Sequence, residues 1–466
     1  MKRSLNLTLA LVLGVLLATT VYAQPPKPAI TQLFGFACDS SGKTCPDGKS
    51  PNELLQSADG NFYGTTPSGG VGNQAAGTVF KITPAGQLTT VYTFVADQKG
   101  NYPNGGDPNS LVEGNDGFLY GTARGGGANN QGVVFKLNRA GDIQVLHSFC
   151  SLTNCADGNQ PFTLVLAKDG NLYGATTYSF PGTLFRITPA GAYALLHTFN
   201  LSVDGPQCIG MTSASDGNIY GTTLGALDLF TVLFRVTPSG QYSTLHTFRY
   251  SDFPTSRPVQ GSDGKLYGIS RRGIFVSSLA GAGFEELPIS PTFHDSLQYV
   301  TQASDLNLWS MFFKDGAGLG ALATITRKGS LLRTIPFDGT NGGGPNAPVV
   351  QSSDGTLLGV TFGGGSVGQG QVGSGVVFRL DAALAPPKPL FVSFNPSSGK
   401  VSTEIMIQGS HFIGATAVTF NGVSAAYQVL NTGNLLATVP QGATTGPIAV
   451  TNAGGTTASK KNFTVQ

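Results

Sequence analysis

The histidines are the first candidates for chemistry in this sequence, because imidazole both binds metals and transfers protons. His147, His197 and His246 each lie two residues before the phenylalanine of a Leu-x-x-Phe segment. The three segments belong to three different repeats, so these histidines cannot converge on one ion. His294 and His411 have no other metal-binding residue types at ligand spacing around them. The sequence therefore predicts no metal site, and we expect no cofactor.

The five cysteines suit an oxidising compartment. Cys38 and Cys45 enclose one short segment, and Cys150 and Cys155 enclose another. Both pairs follow a Leu-x-x-Phe segment at the same position of two repeats, which predicts two local disulfides. Cys208 is left over, and we expect it to be a buried, unreactive thiol.

A set of polar residues stands three positions before a recurring Asp-Gly dipeptide: Gln56, Glu113, Gln260, Gln302 and Gln351. Two further repeats have Leu166 and Ser213 at this position. If strand alternation points the position inward, these residues line an axial channel with amides. One glutamate does not supply the two carboxylates that glycoside cleavage needs, so the sequence predicts no catalytic residue.

A phrase related to Asp-Gly-x-Leu-Tyr-Gly places these residues, and it returns about every 50 residues, a period typical of propellers and solenoids. The seven copies occupy 59–64, 116–121, 169–174, 216–221, 263–268, 305–310 and 354–359. Each repeat carries four apolar runs separated by turn signals, with the Asp-Gly as a two-residue hairpin turn in which both residues have positive φ. Four antiparallel strands per unit predict an all-β, seven-bladed β-propeller.

The two ends of the repeat region predict how the ring closes. The seventh repeat has its third strand at 376–380 but lacks the Leu-x-x-Phe strand. The missing pattern occurs at the N-terminus, at 33–36. We expect this strand to complete the last blade and to remove an exposed sheet edge.

The strand order assigns the loops to two faces. The Asp-Gly turns lie on one face, the turn face, and the Gly-rich spacers 68–76, 125–132 and 363–374 lie on the opposite face, the loop face. The spacers lack the Gly-Lys-Ser/Thr ending of phosphate-binding loops. We expect Arg124, Arg271 and Arg272 near them to be isolated surface residues. Because sites gather on loops carried by rigid strands, a binding site is expected on the loop face.

The first 23 residues have the features of a signal peptide: Lys2 and Arg3, an apolar run, and Val-Tyr-Ala before Gln24. No later segment has the ~20 consecutive apolar residues that span a bilayer. The net charge of +2 is carried by those two basic residues, and charged residues are 11% of the chain. Such sparse, mixed charge excludes the basic stripe of a nucleic-acid-binding protein.

The phrase Asp-Gly-x-Leu-Tyr-Gly, a Gly-rich spacer, a Gly-Thr-Val-Phe-Lys-Ile-Thr-Pro-Ala-Gly type strand and Leu-x-x-Phe together resemble the bacterial GloVer tandem repeat. The match is carried by 59–94, 116–149, 169–199 and 216–248. The fifth repeat has a shortened spacer, and the sixth has Trp309 in place of tyrosine. The resemblance implies an exported surface protein.

The C-terminal segment resembles an IPT/TIG domain, an immunoglobulin-like β-sandwich. Its motifs are Asn-Pro-Ser-Ser-Gly at 395–399, Gln-Gly-Ser-His-Phe at 408–412 and Phe-Asn-Gly at 420–422. The expected organisation is a signal peptide at 1–23, a propeller at 30–381, a Pro-rich linker at 382–389 and an IPT/TIG domain at 390–466.

Two functions remain open from the sequence. The first is a secreted or cell-surface, non-catalytic scaffold for binding or adhesion, monomeric, with a polysaccharide or a cell-envelope protein as candidate partner. The alternative is a secreted polysaccharide lyase or hydrolase built on a propeller.

Overall fold

The structure of the chain is a computed structural model that describes residues 28–177, 181–224, 230–249, 252–289, 297–313, 318–369 and 371–466. The expected signal peptide and His294 lie outside the described residues. The described residues contain no α-helix, and no helix among them is long and apolar enough to cross a membrane. Thr153–Cys155 forms a short 3-10 turn.

Strand β1 (Ile30–Asp39) precedes six sheets of four antiparallel strands, the blades, each paired in chain order. The first blade comprises β2 (Leu55–Gln56), β3 (Phe62–Thr66), β4 (Thr78–Ile82) and β5 (Leu88–Thr93). The second comprises β6 (Gly106–Glu113), β7 (Leu119–Gly125), β8 (Val133–Leu137) and β9 (Ile143–Ser148). The third comprises β10 (Pro161–Leu166), β11 (Leu172–Thr176), β12 (Thr183–Ile187) and β13 (Tyr193–Thr198). The fourth blade comprises β14 (Gln207–Ser213), β15 (Ile219–Leu224), β16 (Thr231–Val236) and β17 (Tyr242–Phe248). The fifth comprises β18 (Val259–Gln260), β19 (Leu266–Ser270), β20 (Gly273–Ser277) and β21 (Glu285–Pro288). The sixth comprises β22 (Leu297–Gln302), β23 (Leu308–Phe312), β24 (Ala321–Ile325) and β25 (Leu331–Pro336).

The last blade combines both ends of the repeat region. Its later strands are β26 (Gly343–Pro345), β27 (Val350–Gln351), β28 (Leu357–Gly363) and β29 (Gln371–Leu380). The N-terminal β1 pairs antiparallel with β29, with Ile30 opposite Leu380, and supplies the outer strand. Strand β29 therefore has a partner on both sides, which leaves it no free edge.

The recurring glycine of the repeat makes room for the recurring phenylalanine of the third strand. A Cβ built on each glycine would lie between 2.1 and 2.6 Å from the ring Cζ of its phenylalanine, a clash that forbids any side chain. The pairs are Gly64–Phe80, Gly121–Phe135, Gly174–Phe185, Gly221–Phe234, Gly268–Phe275 and Gly359–Phe378. In the divergent sixth repeat Ser310 replaces the glycine, and Ala323 lies opposite it in place of phenylalanine. The two substitutions compensate each other in volume.

The recurring aspartate holds its own turn together. In the first repeat Asp59 Oδ1 accepts from the N–H of Asn61 at 3.0 Å, and the Tyr63 hydroxyl donates to Asp59 Oδ2 at 2.8 Å. Only the glycine of the turn, Gly60, has positive φ, at 81°. The Gly60 N–H bonds the Ser57 carbonyl, so the loop has three residues and ends in a left-handed glycine. The two-residue turn expected from the sequence is therefore wrong in detail.

The blades pack face to face. One buried cluster joins Tyr63, Val79 and Phe94 of the first blade to Leu119 and Phe135 of the second. Side chains of these two blades therefore point at each other. The innermost strand of a blade faces the axis with its backbone edge, since its side chains face sideways.

The C-terminal domain consists of two sheets with a core of their own. Its strands are β30 (Leu390–Asn395), β31 (Ser398–Gly399), β32 (Glu404–Ser410), β33 (Ala417–Phe420), β34 (Val423–Ser424), β35 (Tyr427–Asn431), β36 (Asn434–Thr438), β37 (Gly446–Asn452) and β38 (Gly455–Val465). One sheet has the order β30-β32-β36-β35 and the other β31-β38-β37-β33-β34. Ile405, Ile407, Phe412, Leu435 and Phe463 are buried between them. The predicted all-β class, a propeller followed by an immunoglobulin-like sandwich, is confirmed.

Candidate functional site

The polar residues expected to line a channel form hydrogen bonds between neighbouring blades. The side-chain oxygen of each accepts from a backbone N–H in the Asp-Gly turn of the preceding blade. The bonds run from Ser353 to Gln56 (3.1 Å), Ala58 to Glu113 (2.9 Å), Ser215 to Gln260 (2.7 Å), Ser262 to Gln302 (2.7 Å) and Ser304 to Gln351 (2.8 Å). We call this set the amide ring. That these residues line an axial opening stays a prediction.

Glu113 is the only carboxylate of the amide ring. It accepts from the Ser57 hydroxyl at 2.7 Å and from the N–H of Ala58, and it forms an ion pair with Arg139. The residue is 6% exposed, and burial raises the pKa of its carboxyl group. With both oxygens engaged in blade-to-blade bonds, Glu113 fits a structural link better than a proton donor.

The loop face holds a second set of polar side chains around the axis. Glu53 of the first blade and Arg257 of the fifth form a two-point ion pair, with Arg257 Nη1 2.8 Å from Glu53 Oε2 and Nη2 bonded to Oε1. Burial works to lower the pKa of Arg257, but Glu53 outweighs it and the pKa lies above its ordinary value. Gly210 makes room for this arginine, since a Cβ there would lie 2.8 Å from Arg257 Cβ.

Tyr299 of the sixth blade lies beside this ion pair. Burial raises the pKa of its hydroxyl and the charge of Glu53 adds to the effect, while Arg257 and Arg124 oppose it. The φ of Tyr299 is 58°, a left-handed conformation that is unusual for an aromatic residue. It sits where the register between β22 and β23 shifts, and such a bulge turns a side chain out of the normal alternation.

Arg124 and Asp107 of the second blade complete the group, which we call the axial cluster: Glu53, Asp107, Arg124, Arg257 and Tyr299. Arg124 Nη1 lies 3.7 Å from Asp107 Oδ2, and both side chains are about 40% exposed, at 40% and 41%. The guanidinium also lies 5.0 Å over the ring of Phe162. Burial raises the pKa of Asp107, and Arg124 works against this shift.

The expectation that the arginines near the spacers are isolated is wrong. Arg124 belongs to the axial cluster, and Arg271 lies 5.0 Å over the Phe253 ring. Arg272 Nη1 is 3.6 Å from Asp252 and 3.8 Å from Glu286. Each arginine contacts an aromatic ring or a carboxylate, because the loops of neighbouring strands meet on this face.

Exposed aromatic rings extend the loop face outward from the axis. Phe313 is 41% exposed and Phe362 is 57% exposed, and both approach Gly344, where a Cβ would lie 3.8 Å from each. Single exposed apolar residues are ordinary. Two exposed aromatic residues that approach the same glycine form an apolar patch of the kind that marks ligand-binding surfaces.

The histidines lie on separate outer strands, each stacked on an aromatic ring. His147 Nε2 is 3.0 Å from Asp157 Oδ2 and stacks on Tyr193 at 4.1 Å. His197 Nε2 is 2.6 Å from Asp204 Oδ2 and stacks on Tyr242 at 3.8 Å, and His246 stacks on Phe284 at 3.4 Å. Among the described residues, no three His, Cys, Asp or Glu side chains are grouped to hold a metal.

The cysteine pairs are confirmed: disulfides join Cys38 to Cys45 and Cys150 to Cys155. Cys208 is free and buried, and burial raises the pKa of its thiol to about 12. A thiol of such high pKa is unreactive near neutral pH.

Two family comparisons assign the two parts of the chain. Residues 19–181 match the Gloeobacter/Verrucomicrobia repeat, and residues 389–465 match the IPT/TIG domain. The N-terminal part of the chain thus matches a Gloeobacter/Verrucomicrobia repeat, and its C-terminal part matches an IPT/TIG domain. Both resemblances drawn from the sequence are thereby confirmed. A comparison with curated protein sequences finds no match to this repeat protein.

Solved structures share the fold of the repeat protein at low identity. Virginiamycin B lyase from Staphylococcus aureus is 14% identical, with a TM-score of 0.52 over 76% of this chain and 99% of the lyase. The extracellular domain of a protein described as a hybrid two-component system from B. thetaiotaomicron is 14% identical, with a TM-score of 0.51 over 91% of this chain and 53% of that chain. Another B. thetaiotaomicron extracellular domain, of a one-component system, is 12% identical with a TM-score of 0.50 over 93% and 59%. These likenesses establish the fold alone.

Proposed function

We propose that this repeat protein is an exported, non-catalytic scaffold that binds a polysaccharide or a cell-envelope protein at its loop face. The single observation that carries the proposal is the axial cluster. It combines two arginines, two carboxylates and a tyrosine at the centre of a face that also exposes aromatic rings. Such a mixture of oriented polar groups and ring faces suits an uncharged, hydroxyl-rich or amide-rich ligand.

The pairing of the charges supports binding over catalysis. Glu53 is held by Arg257 through two hydrogen bonds, and Asp107 lies 3.7 Å from Arg124. Each carboxylate therefore has a cationic neighbour, and such charge-assisted pairs hold the polar groups of a binding surface in fixed orientations. Export is supported by the two disulfides and by the signal-like first 23 residues.

One observation favours the alternative, a secreted carbohydrate-active enzyme. Asp107 has a raised pKa whereas Glu53 is fixed by an arginine, and two carboxylates in different surroundings are the usual equipment for acid–base cleavage of glycosides. If the protein is such an enzyme, Asp107→Asn abolishes release of reducing ends or unsaturated products from the substrate. If it is a scaffold, no such products are released by either protein.

Retention on immobilised polysaccharides and on cell-envelope fractions tests the binding proposal. Arg124→Gln and Phe362→Ser change exposed side chains of the loop face, and each is expected to weaken retention by roughly tenfold or more. Lys265→Gln removes one positive charge from an exposed position of the turn face and is the matched control. Failure of the wild-type protein to bind any of these materials, or equal weakening by the control, would contradict the proposal.

A further inference from the structure

The amide ring is incomplete at two neighbouring junctions. Leu166 of the third blade and Ser213 of the fourth occupy the position that carries a glutamine or glutamate in the other blades. Neither side chain has a carbonyl oxygen to accept from the turn of the preceding blade. The turns concerned contain Asn115 and Lys168.

The IPT/TIG domain places amide side chains at these two turns. Asn431 Nδ2 donates to Asn115 Oδ1 at 2.9 Å and lies 3.4 Å from the carbonyl oxygen of Glu113. Gln408 Nε2 donates to the carbonyl oxygen of Lys168 at 2.8 Å. Lys168 itself bonds the carbonyl of Ser215 in the fourth blade.

Hydrogen bonds within the IPT/TIG domain fix the orientation of the Asn431 side chain. Its Oδ1 accepts from the N–H of Gly433 at 3.0 Å and from Asn434 Nδ2 at 3.0 Å, so the amide orientation is fixed by the turn that carries it. The residue is 5% exposed, and its two donor hydrogens point to the propeller. A buried amide without those acceptors would cost free energy, because its donors would lie unsatisfied.

The connecting segment is attached to both domains. The carbonyl oxygen of Ala385 accepts from the Ser304 hydroxyl at 2.6 Å and from Gln351 Nε2 at 3.2 Å. The carbonyl oxygen of Pro387 accepts from Asn452 Nδ2 at 2.9 Å on the other side. The proline-containing connection therefore lies along the sixth and seventh blades instead of projecting into solvent.

A further contact lies at the seventh blade, where a Cβ at Gly414 would be 3.3 Å from Ser353 Cβ. The domain thus contacts the turns of the second, third and seventh blades, and its connecting segment contacts the sixth, so the contacts lie on opposite sides of the ring. A body attached at these points spans the axis on the turn face.

We infer that the IPT/TIG domain is a fixed cover of the turn face, which bonds the turns at the two junctions where the amide ring is incomplete and closes the axis from that side. The partner of the turn face is therefore this chain's own C-terminal domain. A ligand reaches the axial region only from the loop face. This inference stands on inter-domain contacts and does not depend on which ligand the loop face binds.

An engineered disulfide in the full-length chain tests the fixed position. Ser353→Cys combined with Gly414→Cys brings two Cβ atoms to a separation near the ~3.8 Å typical of disulfides. We expect non-reducing peptide mapping after mild oxidation to show this bridge in most molecules, with the native pairs intact. The control combines Ser353→Cys with Lys461→Cys at an exposed site of the domain, and it should not form a bridge. Free thiols at 353 and 414 in the folded double variant would overturn the inference.

Gly414 has a φ of 77°, which a cysteine tolerates at some cost, so a second measurement avoids that position. In the full-length chain, Asn431→Ala combined with Gln408→Ala is expected to speed backbone hydrogen exchange in the turns at 115–117 and 168–170 by roughly tenfold. In this double variant, exchange at the turn that contains Ser304 should stay at the wild-type rate. In the control variant Lys461→Ala, exchange at 115–117 and 168–170 should also stay at the wild-type rate. Unchanged exchange at 115–117 and 168–170 would likewise overturn the inference.

Discussion

Glu53 and Arg257 lie 204 positions apart in the sequence and form a two-point ion pair that joins the first blade to the fifth. The blades are not neighbours in the ring, so the pair bridges the axial region itself. Its side chains are 36% and 28% exposed, respectively, so solvent reaches them. An ion pair held in this place organises the centre of the loop face, where we expect the ligand.

Removing a link of the amide ring should destabilise the propeller. Gln351→Leu leaves the N–H of Ser304 without its acceptor, and we expect the free energy of unfolding to fall by about 1–3 kcal/mol. Urea unfolding followed by fluorescence measures the change. Gln241→Leu, at an exposed turn position, is the control and should leave stability nearly unchanged. Equal stability of the Gln351 variant and wild type would mean that the link is dispensable.

Acidification should lower stability through the stacked histidines. Burial lowers the pKa of His246 below its ordinary value of 6.5, and burial lowers that of His147 despite the neighbouring Asp157. As the pH falls below 6.5, the unfolded chain therefore binds more protons than the folded chain. The free energy of unfolding decreases in that pH window. We expect wild type to lose stability between about pH 7.5 and about pH 5.5. His246→Phe should lose less, and an identical pH dependence in both proteins would refute this role of His246.

Loss of the N-terminal strand should open the last blade. Deleting residues 30–36 removes most of β1 and exposes the edge of β29. An exposed edge strand pairs with other chains, so we predict aggregation or failure of export. Light scattering and size-exclusion chromatography measure the outcome. A monomeric deletion variant with an unchanged melting temperature would show that the ring does not need this strand.

The thiol chemistry gives a further check on the repeat alignment. Non-reducing peptide mapping should recover Cys38–Cys45 and Cys150–Cys155. Cys208 should resist alkylation in the native protein and react once denaturant exposes it, because the buried thiol has a raised pKa. Rapid native labelling of Cys208 would place it at the surface and contradict its position in the core.

Periodicity predicted the fold because each repeat is one sheet that repeats its turn and core residues. The glycine and phenylalanine of the phrase proved to be one packing unit, which explains why Ser310 and Ala323 change together. The cysteine pairs could be read from position alone.

The blade-to-blade bonds of Gln56 and Gln351 could not be predicted from the alternation of side chains along a strand. This alternation assigns each side chain to one of the two faces of a sheet, but it does not show which residues of the next blade lie opposite that face. The axial cluster was missed for a related reason, since its tyrosine occupies a bulge and its ion pair joins distant repeats. A signal was nevertheless present. Glu53, Arg257 and Tyr299 stand three residues before Gln56, Gln260 and Gln302, so aligning the repeats would have placed them in one ring.

The most direct test of the account is the footprint of a bound ligand on the full-length protein, measured by hydrogen exchange at saturation. The probe is the polysaccharide or envelope fraction that the protein retains most strongly. We predict slower exchange around Glu53, Asp107 and Tyr299 on the loop face, no change in the Asp-Gly turns, and recovery of the ligand at its original length. Protection confined to the turn face or to the IPT/TIG domain, or recovery of a shortened ligand, would contradict a non-catalytic scaffold that binds through its loop face.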